Sequence, residues 1–338
     1  MSNENLLSQQ SLNRASFLAF FGILTGFFFF GLGTPFLTIL FGYLILSYLG
    51  KLLPKRIAVF TFSILVLVLF YLFVHFAQQA VRALPIAASK AIPTIVSLAQ
   101  SYGLEAPFED PEGMKSFVRD GLESQLHFLA RFAQVFTKEF VYVIIALVAT
   151  TGIFMTGRLD LARESYAIRH NLYSGFTEKL ELRFANFFKS FHTVMGAQVA
   201  ISLVNTFFTG LFILGLSLFG TPMPYSYVIM VVTFLCGLLP IIGNLISNTV
   251  IFCIGLTQSV ELGVISLLYL IILHKFEYFL NSRIIGGRIK NPMWLTLLSL
   301  LAGERLAGIP GMILAPVILN YCKQEGSNVE VQAPPPSP

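Results

Sequence analysis

Apolar residues run along this chain in long blocks, without the regular polar positions of a water-facing helix or strand. Ala15 to Gly50 contains no Asp, Glu, Lys or Arg, and neither does Ser190 to Val260. A hydrocarbon core about 30 Å thick takes roughly 20 helical residues per crossing, so the first block holds two crossings and the second three or an equivalent. Gly33-Thr34-Pro35 divides the first block into spans near 16–32 and 36–49. Further spans are predicted over Ile57 to Phe76, Phe140 to Gly157, His192 to Phe219 and Gly263 to Leu280.

Two segments between these blocks are amphipathic. Met114, Phe117, Val118, Leu122, Leu126, Leu129, Ala133 and Phe136 recur at three- and four-residue steps inside a charged stretch, which predicts one apolar helical stripe. Arg158 to Lys189 mixes charges with Tyr166, Tyr173, Phe176, Phe184, Phe187 and Phe188, and is expected to pack on the bilayer interface or the transmembrane core.

Charge placement sets the expected topology. Lys51, Lys55 and Arg56 form a positive loop with no acidic residue, so that loop and the N-terminus are expected in the cytoplasm. Counting eight plain spans would then put Arg283, Arg288 and Lys290 in a short external loop, against the positive-inside rule. The conflict disappears if two apolar segments enter the membrane and return on the same side. The first is interrupted at Leu239-Pro240 and Gly243-Asn244, between arms at Tyr225 to Leu239 and Leu245 to Val260. The second runs from Met293 to Ala302, breaks across Gly303 to Gly311, and leaves through Met312 to Tyr321.

The expected fold is therefore an all-α polytopic membrane protein. It has about six full spans plus two re-entrant hairpins, which form an inverted repeat in the C-terminal half. Five sections follow: a three-span unit (1–76), an external amphipathic insert (77–139), the fourth span with a cytoplasmic amphipathic helix (140–189), a permease core (190–322) and a disordered tail (323–338).

Composition agrees and removes other classes. Apolar residues make up 55% of the chain and charged residues 12%, where soluble proteins carry roughly 25% charged residues. The net charge of +5 sits at the ends of apolar segments, so it speaks for topology and not for nucleic acid. Cys236, Cys253 and Cys322 make neither a disulfide framework nor a CxxC metal site. His75, His127 and His170 have no partner spacing for metal or catalysis, and zinc-protease, serine-hydrolase and P-loop motifs are missing, so no enzyme, metal or cofactor is expected. The Ser/Asn/Gln-rich start is not expected to be a removable signal peptide.

Chemistry is expected at the two interruptions, because a broken helix leaves backbone polar groups that lipid cannot satisfy. Pro240, Gly243, Asn244, Ser247 and Asn248 form the first candidate site, with neutral donors and acceptors suited to a small polyol, carbonyl compound or ion. Gly308, Pro310 and Gly311 form the second. Glu304 and Arg305 beside it, and Glu277 in the preceding span, are candidates for proton or cation coupling, or else tip and interface charges. Gln198 and Asn205 share a face of the fifth span, as a cavity lining or as interhelical hydrogen-bonding groups.

These residues resemble the autoinducer-2 exporter family of permeases, also called PerM-like. The marks are Pro224-Tyr225, then Leu239-Pro240 to Gly243, the Arg283-Ile-Ile-Gly286 run, Pro292, and Gly308-Ile309-Pro310-Gly311 continuing to Ala315-Pro316. Asn244 and Ser282 stand where the family usually has proline, and Glu304-Arg305 where a small or apolar pair is common. The resemblance implies export of a small solute, autoinducer-2 in the namesake and sodium or lithium for protons in some relatives. It also implies a homo-oligomer, a pentamer. The expected function is a secondary transporter of the inner (cytoplasmic) membrane, with both termini cytoplasmic. A sodium/proton antiporter and a non-transporting membrane scaffold are the alternatives.

Overall fold

The computed structural model describes residues 9–72, 74–75, 139–168, 171–239, 242–284 and 292–328. Among them the chain is helical throughout, with no strand. The helices are α1 (Gln9–Phe29), α2 (Gly33–Leu52), α3 (Lys55–Leu72), α4 (Glu139–Thr156), α5 (Leu172–Leu218), α6 (Ser226–Gly237), α7 (Ile242–Leu256), α8 (Val260–Ile284) and α9 (Met293–Ser327). The external insert and its apolar stripe lie outside the described residues.

Two compact units form. One comprises Met1–Phe62, Val141–Gly196 and Arg288–Pro338, the other Ser63–Phe140 and Ala197–Gly287. In the first unit Phe20 packs its ring 5.2 Å from Phe184, 5.6 Å from Phe187 and 5.0 Å from Tyr321, centroid to centroid. Phe184 and Phe187 of the 158–189 segment are thus packed on α1 and α9, while Phe188 meets Tyr43 of α2 and Tyr173 stays exposed. In the second unit Ile213 and Leu216 of α5 meet Ile229 of α6, Ile251 and Ile254 of α7, and Leu262 and Leu270 of α8. Exposed apolar side chains such as Phe60, Leu67, Ile145 and Val148 cover α3 and α4, a surface fit for acyl chains.

A separate cytoplasmic helix and a separate fifth span were expected over 158–219, and the structure joins most of that stretch into α5. Its 47 residues make about 70 Å of helix, more than twice the hydrocarbon thickness. The shift from charged to apolar residues near Ser190 changes the surroundings and not the backbone, because no proline stands there. The loop ahead of α5 is pinned to its first turn. Asp160 accepts from the Ser174 hydroxyl at 2.8 Å and the Tyr166 phenol at 3.0 Å, and Arg163 pairs with Glu178 at 2.7 Å. Desolvation, then the Asp160 carboxylate, pushes the Tyr166 phenol above its ordinary pKa.

Two of the apolar segments are interrupted. The helix α6 has 12 residues and α7 has 15, about 18 and 22 Å long, each short of a 30 Å core. They pair with each other, and α7 pairs with α8. Trp294–Ser327 is long and apolar enough to count as one crossing, one of six such stretches among the described residues. Within it the backbone bends. Ala307 (φ −147°, ψ 19°) and Gly308 (φ 60°, ψ −142°) leave helical geometry, and Gly303 and Gly311 then face each other across the bend. A continuous helix would hold those two glycines about 12 Å apart, so α9 is two antiparallel arms. The outgoing arm runs to Ser327, past the point where the sequence reading placed the start of the tail. Residues 329–338 lie outside the described part.

Candidate functional site

At the first interruption the last turn of α6 tightens. The Leu238 N–H bonds to the Leu235 carbonyl at 3.2 Å and the Leu239 N–H to the Cys236 carbonyl at 2.8 Å, both three residues back. That closure releases the Phe234 carbonyl from the ordinary four-residue ladder, and the Gly237 carbonyl is free of it as the last of the helix. Both are recovered by α5. The Gln198 amide donates to Gly237 at 2.7 Å, and the Ser202 hydroxyl donates to Phe234 at 2.6 Å. Gln198 is therefore an interhelical hydrogen-bonding group, one of the two roles expected for it, and it serves the broken backbone directly.

After the turn, α7 starts almost in contact with α6. A Cβ on Gly243 would lie 1.7 Å from the Cys236 carbonyl oxygen, so only glycine lets the arms meet there. Asn244, Ser247 and Asn248 follow on one helical face. Ser247 is buried and its hydroxyl donates to the Asn244 carbonyl at 3.2 Å, whereas Asn244 and Asn248 are half-buried. Pro240 lies outside the described residues. Glu277 lies on α8, with its side chain outside the described part.

The polar face of α5 extends further than the sequence reading took it. Gln198, Ser202, Asn205 and Thr209 are spaced four, three and four apart, one stripe along the helix. Ser202 and Thr209 were missed, although this spacing was the available signal. Thr209 shares a hydrogen bond of 3.1 Å with Tyr269, whose ring stacks on Phe212 at 4.1 Å. Asn205 is only 3% exposed, and its Oδ1 is unpaired among the described residues. The Thr233 hydroxyl of α6 is likewise buried and unpaired. Gln198 against Gly237 and Gly210 against Met230 set an antiparallel register in which Asn205 and Thr233 fall at about the same level of the two helices.

The second interruption lies in the other unit. A Cβ on Gly311 would stand 2.0 Å from the Gly303 carbonyl oxygen, and one on Gly303 would stand 2.4 Å from that of Gly311. Gly308 makes the reversal with its positive φ. Pro310 packs on Gly33, 2.8 Å from where a Cβ would be, so the reversal sits level with the α1–α2 turn, at the end of those spans and not at their middle. Glu304 and Arg305 are exposed beside it, and among the described residues neither enters an ion pair.

The order of elements now has a match. A family model for AI-2E family transporters covers residues 15–325, from within α1 to the last buried residue of α9. The chain belongs to the AI-2E transporter family. It is a multi-pass membrane protein of a transporter family, not of an enzyme family. Among curated relatives, the AI-2E chain is 27% identical over 141 residues to "Putative transport protein YdbI" of Bacillus subtilis (strain 168). That similarity covers 41% of this chain and spans 39% of the relative's own length.

Proposed function

We propose that this AI-2E family transporter exports a small, neutral, polar solute such as autoinducer-2 by alternating access across the cytoplasmic membrane. The observation carrying the reading is the polar stripe of α5 against a broken α6. It includes a buried acceptor without a partner among the described residues, Asn205 Oδ1, and α6 carries the likewise buried Thr233 hydroxyl. Helices that only needed to hold together in lipid would gain nothing from unpaired polar atoms, whereas a hydroxyl or carbonyl of a solute completes them. Asn244 and Asn248, half-buried on one face of α7, are taken as further polar groups for the solute. The first hairpin, Gly308, Pro310 and Gly311 serve as the moving parts, and a homo-oligomer, pentameric as in the family pattern, carries α3 and α4 against lipid or neighbouring copies. Antiport through Glu304 has less support, because that carboxylate is exposed at the end of its hairpin.

Efflux of autoinducer-2 from proteoliposomes tests the reading. Asn205→Leu and Asn244→Ala each remove one neutral hydrogen bond, expected to cost about 0.5–1.5 kcal/mol, a loss of roughly three- to tenfold in apparent affinity. Efflux no faster than from protein-free vesicles would favour the scaffold. A pH-sensitive dye responding to added sodium would favour the antiporter.

Orientation has its own test. The hairpin topology with cytoplasmic termini puts Arg288 in the cytoplasm and Gln258 outside. In right-side-out cells an impermeant maleimide should label Gln258→Cys and spare Arg288→Cys. The reverse pattern would restore eight plain spans.

A further inference from the structure

The outgoing arm of α9 ends in a buried polar cluster that the solute site does not use. Glu325 is 8% exposed and Arg183 of α5 is 5% exposed. The Arg183 guanidinium donates to Glu325 Oε2 at 2.5 Å, and the Asn186 amide donates to Oε1 at 2.9 Å. A second guanidinium nitrogen donates to Asn13 Oδ1 of α1, and the guanidinium carbon lies 3.7 Å from the centre of the Phe17 ring. One residue earlier, Gln324 Oε1 accepts from the Ser190 hydroxyl at 3.1 Å. The cluster thus ties α9 to α1 and α5 at the end of the arm remote from Gly308.

We propose that the Arg183–Glu325 pair is a latch. It holds the outgoing arm of the second hairpin against α1 and α5 in this conformation and opens when the transporter changes state. The proposal rests on the alternating-access reading above. Its physical basis is that a buried ion pair is a poor permanent fastener. Well-packed apolar residues of similar volume hold helices as firmly or better, because the pair gives up most of its attraction in desolvation. What a charged contact offers in exchange is reversibility. Separated Arg and Glu return to water readily, whereas separated leucines would expose apolar surface. The placement fits such a part. The arm is gripped at its other end by Pro310 packed on Gly33, so the Glu325 end is where a charged contact can release it.

Two measurements on the full chain in proteoliposomes decide this, after Cys236, Cys253 and Cys322 are replaced by serine. Spin labels at Ala15→Cys and Ser327→Cys report the distance from α1 to the end of α9. Ala15 and Ser327 are both exposed. The parent should show one dominant short distance. Glu325→Gln or Arg183→Gln should raise the share of a longer distance at least tenfold. An unchanged distribution in both variants overturns the latch. The second arm covers variants that fold poorly. Arg183→Met combined with Glu325→Leu keeps the helices joined without a breakable charge. It should melt no lower than the parent, show the short distance alone, and slow autoinducer-2 efflux at least tenfold. Parent-like efflux in that pair means the contact only fastens, and overturns the proposal. If the parent itself moves no autoinducer-2, the transport reading fails separately and the spin-label distances still decide the latch.

Discussion

Gly243→Ala is expected to destroy the first hairpin. Its new methyl carbon would stand 1.7 Å from the Cys236 carbonyl oxygen, an approach that real Cβ atoms do not make. The neighbour is backbone, so no rotamer change relieves it, and α6 and α7 must separate. Separation costs more than the overlap. It would displace the Gly237 and Phe234 carbonyls from Gln198 and Ser202 and leave them unpaired in an apolar surround. Overpacking of a tight core costs about 1–3 kcal/mol, and the freed carbonyls place this case at the upper end or above. Gly215→Ala is the control. Nothing lies within 4 Å of a Cβ at Gly215 in the helical interior of α5, so the same substitution should be neutral or stabilise by about 0.5–1 kcal/mol. Thermal melting followed by size-exclusion chromatography in detergent reads both. Equal melting of Gly243→Ala and parent would mean that the arms do not meet as described.

The positions of the breaks were legible because proline and glycine act through the local backbone. Pro240 with Gly243, and Gly308 with Pro310 and Gly311, mark the places where the helices give way, and charge placement argued that the chain turns back there. The depth of each turn was not legible, since it depends on what the tip meets. Glu304 and Arg305 read equally as coupling charges and as tip charges, and Pro310 on Gly33 puts their hairpin tip level with the α1–α2 turn. Gln198 was readable as a polar residue on an apolar helix. Its acceptor was not, because the Gly237 carbonyl is available only as the last of α6, and the sequence does not show at which residue that helix ends. Asn205 was read for the same reason as Gln198, and Thr233 was passed over because threonine is ordinary in a membrane helix. The continuity of α5 was hidden by composition, which changes sharply near Ser190 although nothing there interrupts a helix.

Ending the chain after Gln324 is expected to destabilise it nearly as much as Glu325→Ala, whereas ending it after Ser327 should leave stability unchanged. Composition argues for the opposite. Lys323 to Ser327 is polar and carries no apolar periodicity, so the segment reads as the start of a solvated tail. The structure gives Glu325 partners on distant parts of the chain, Arg183 and Asn186 of α5, and Arg183 in turn holds Asn13 of α1. Removing only Glu325 strands the guanidinium at 5% exposure, with its Nε already unpaired among the described residues. Leaving one member of a buried ion pair alone costs about 3–5 kcal/mol, whereas replacing both by apolar residues of similar volume is often neutral or stabilising. The order of melting temperatures in detergent should therefore be Arg183→Met/Glu325→Leu at or above the parent and the Ser327 truncation equal to it. The Gln324 truncation and Glu325→Ala should fall together well below. If the Gln324 truncation melts with the Ser327 truncation, Glu325 is not held by Arg183, and the end of α9 is the solvated segment that its composition describes.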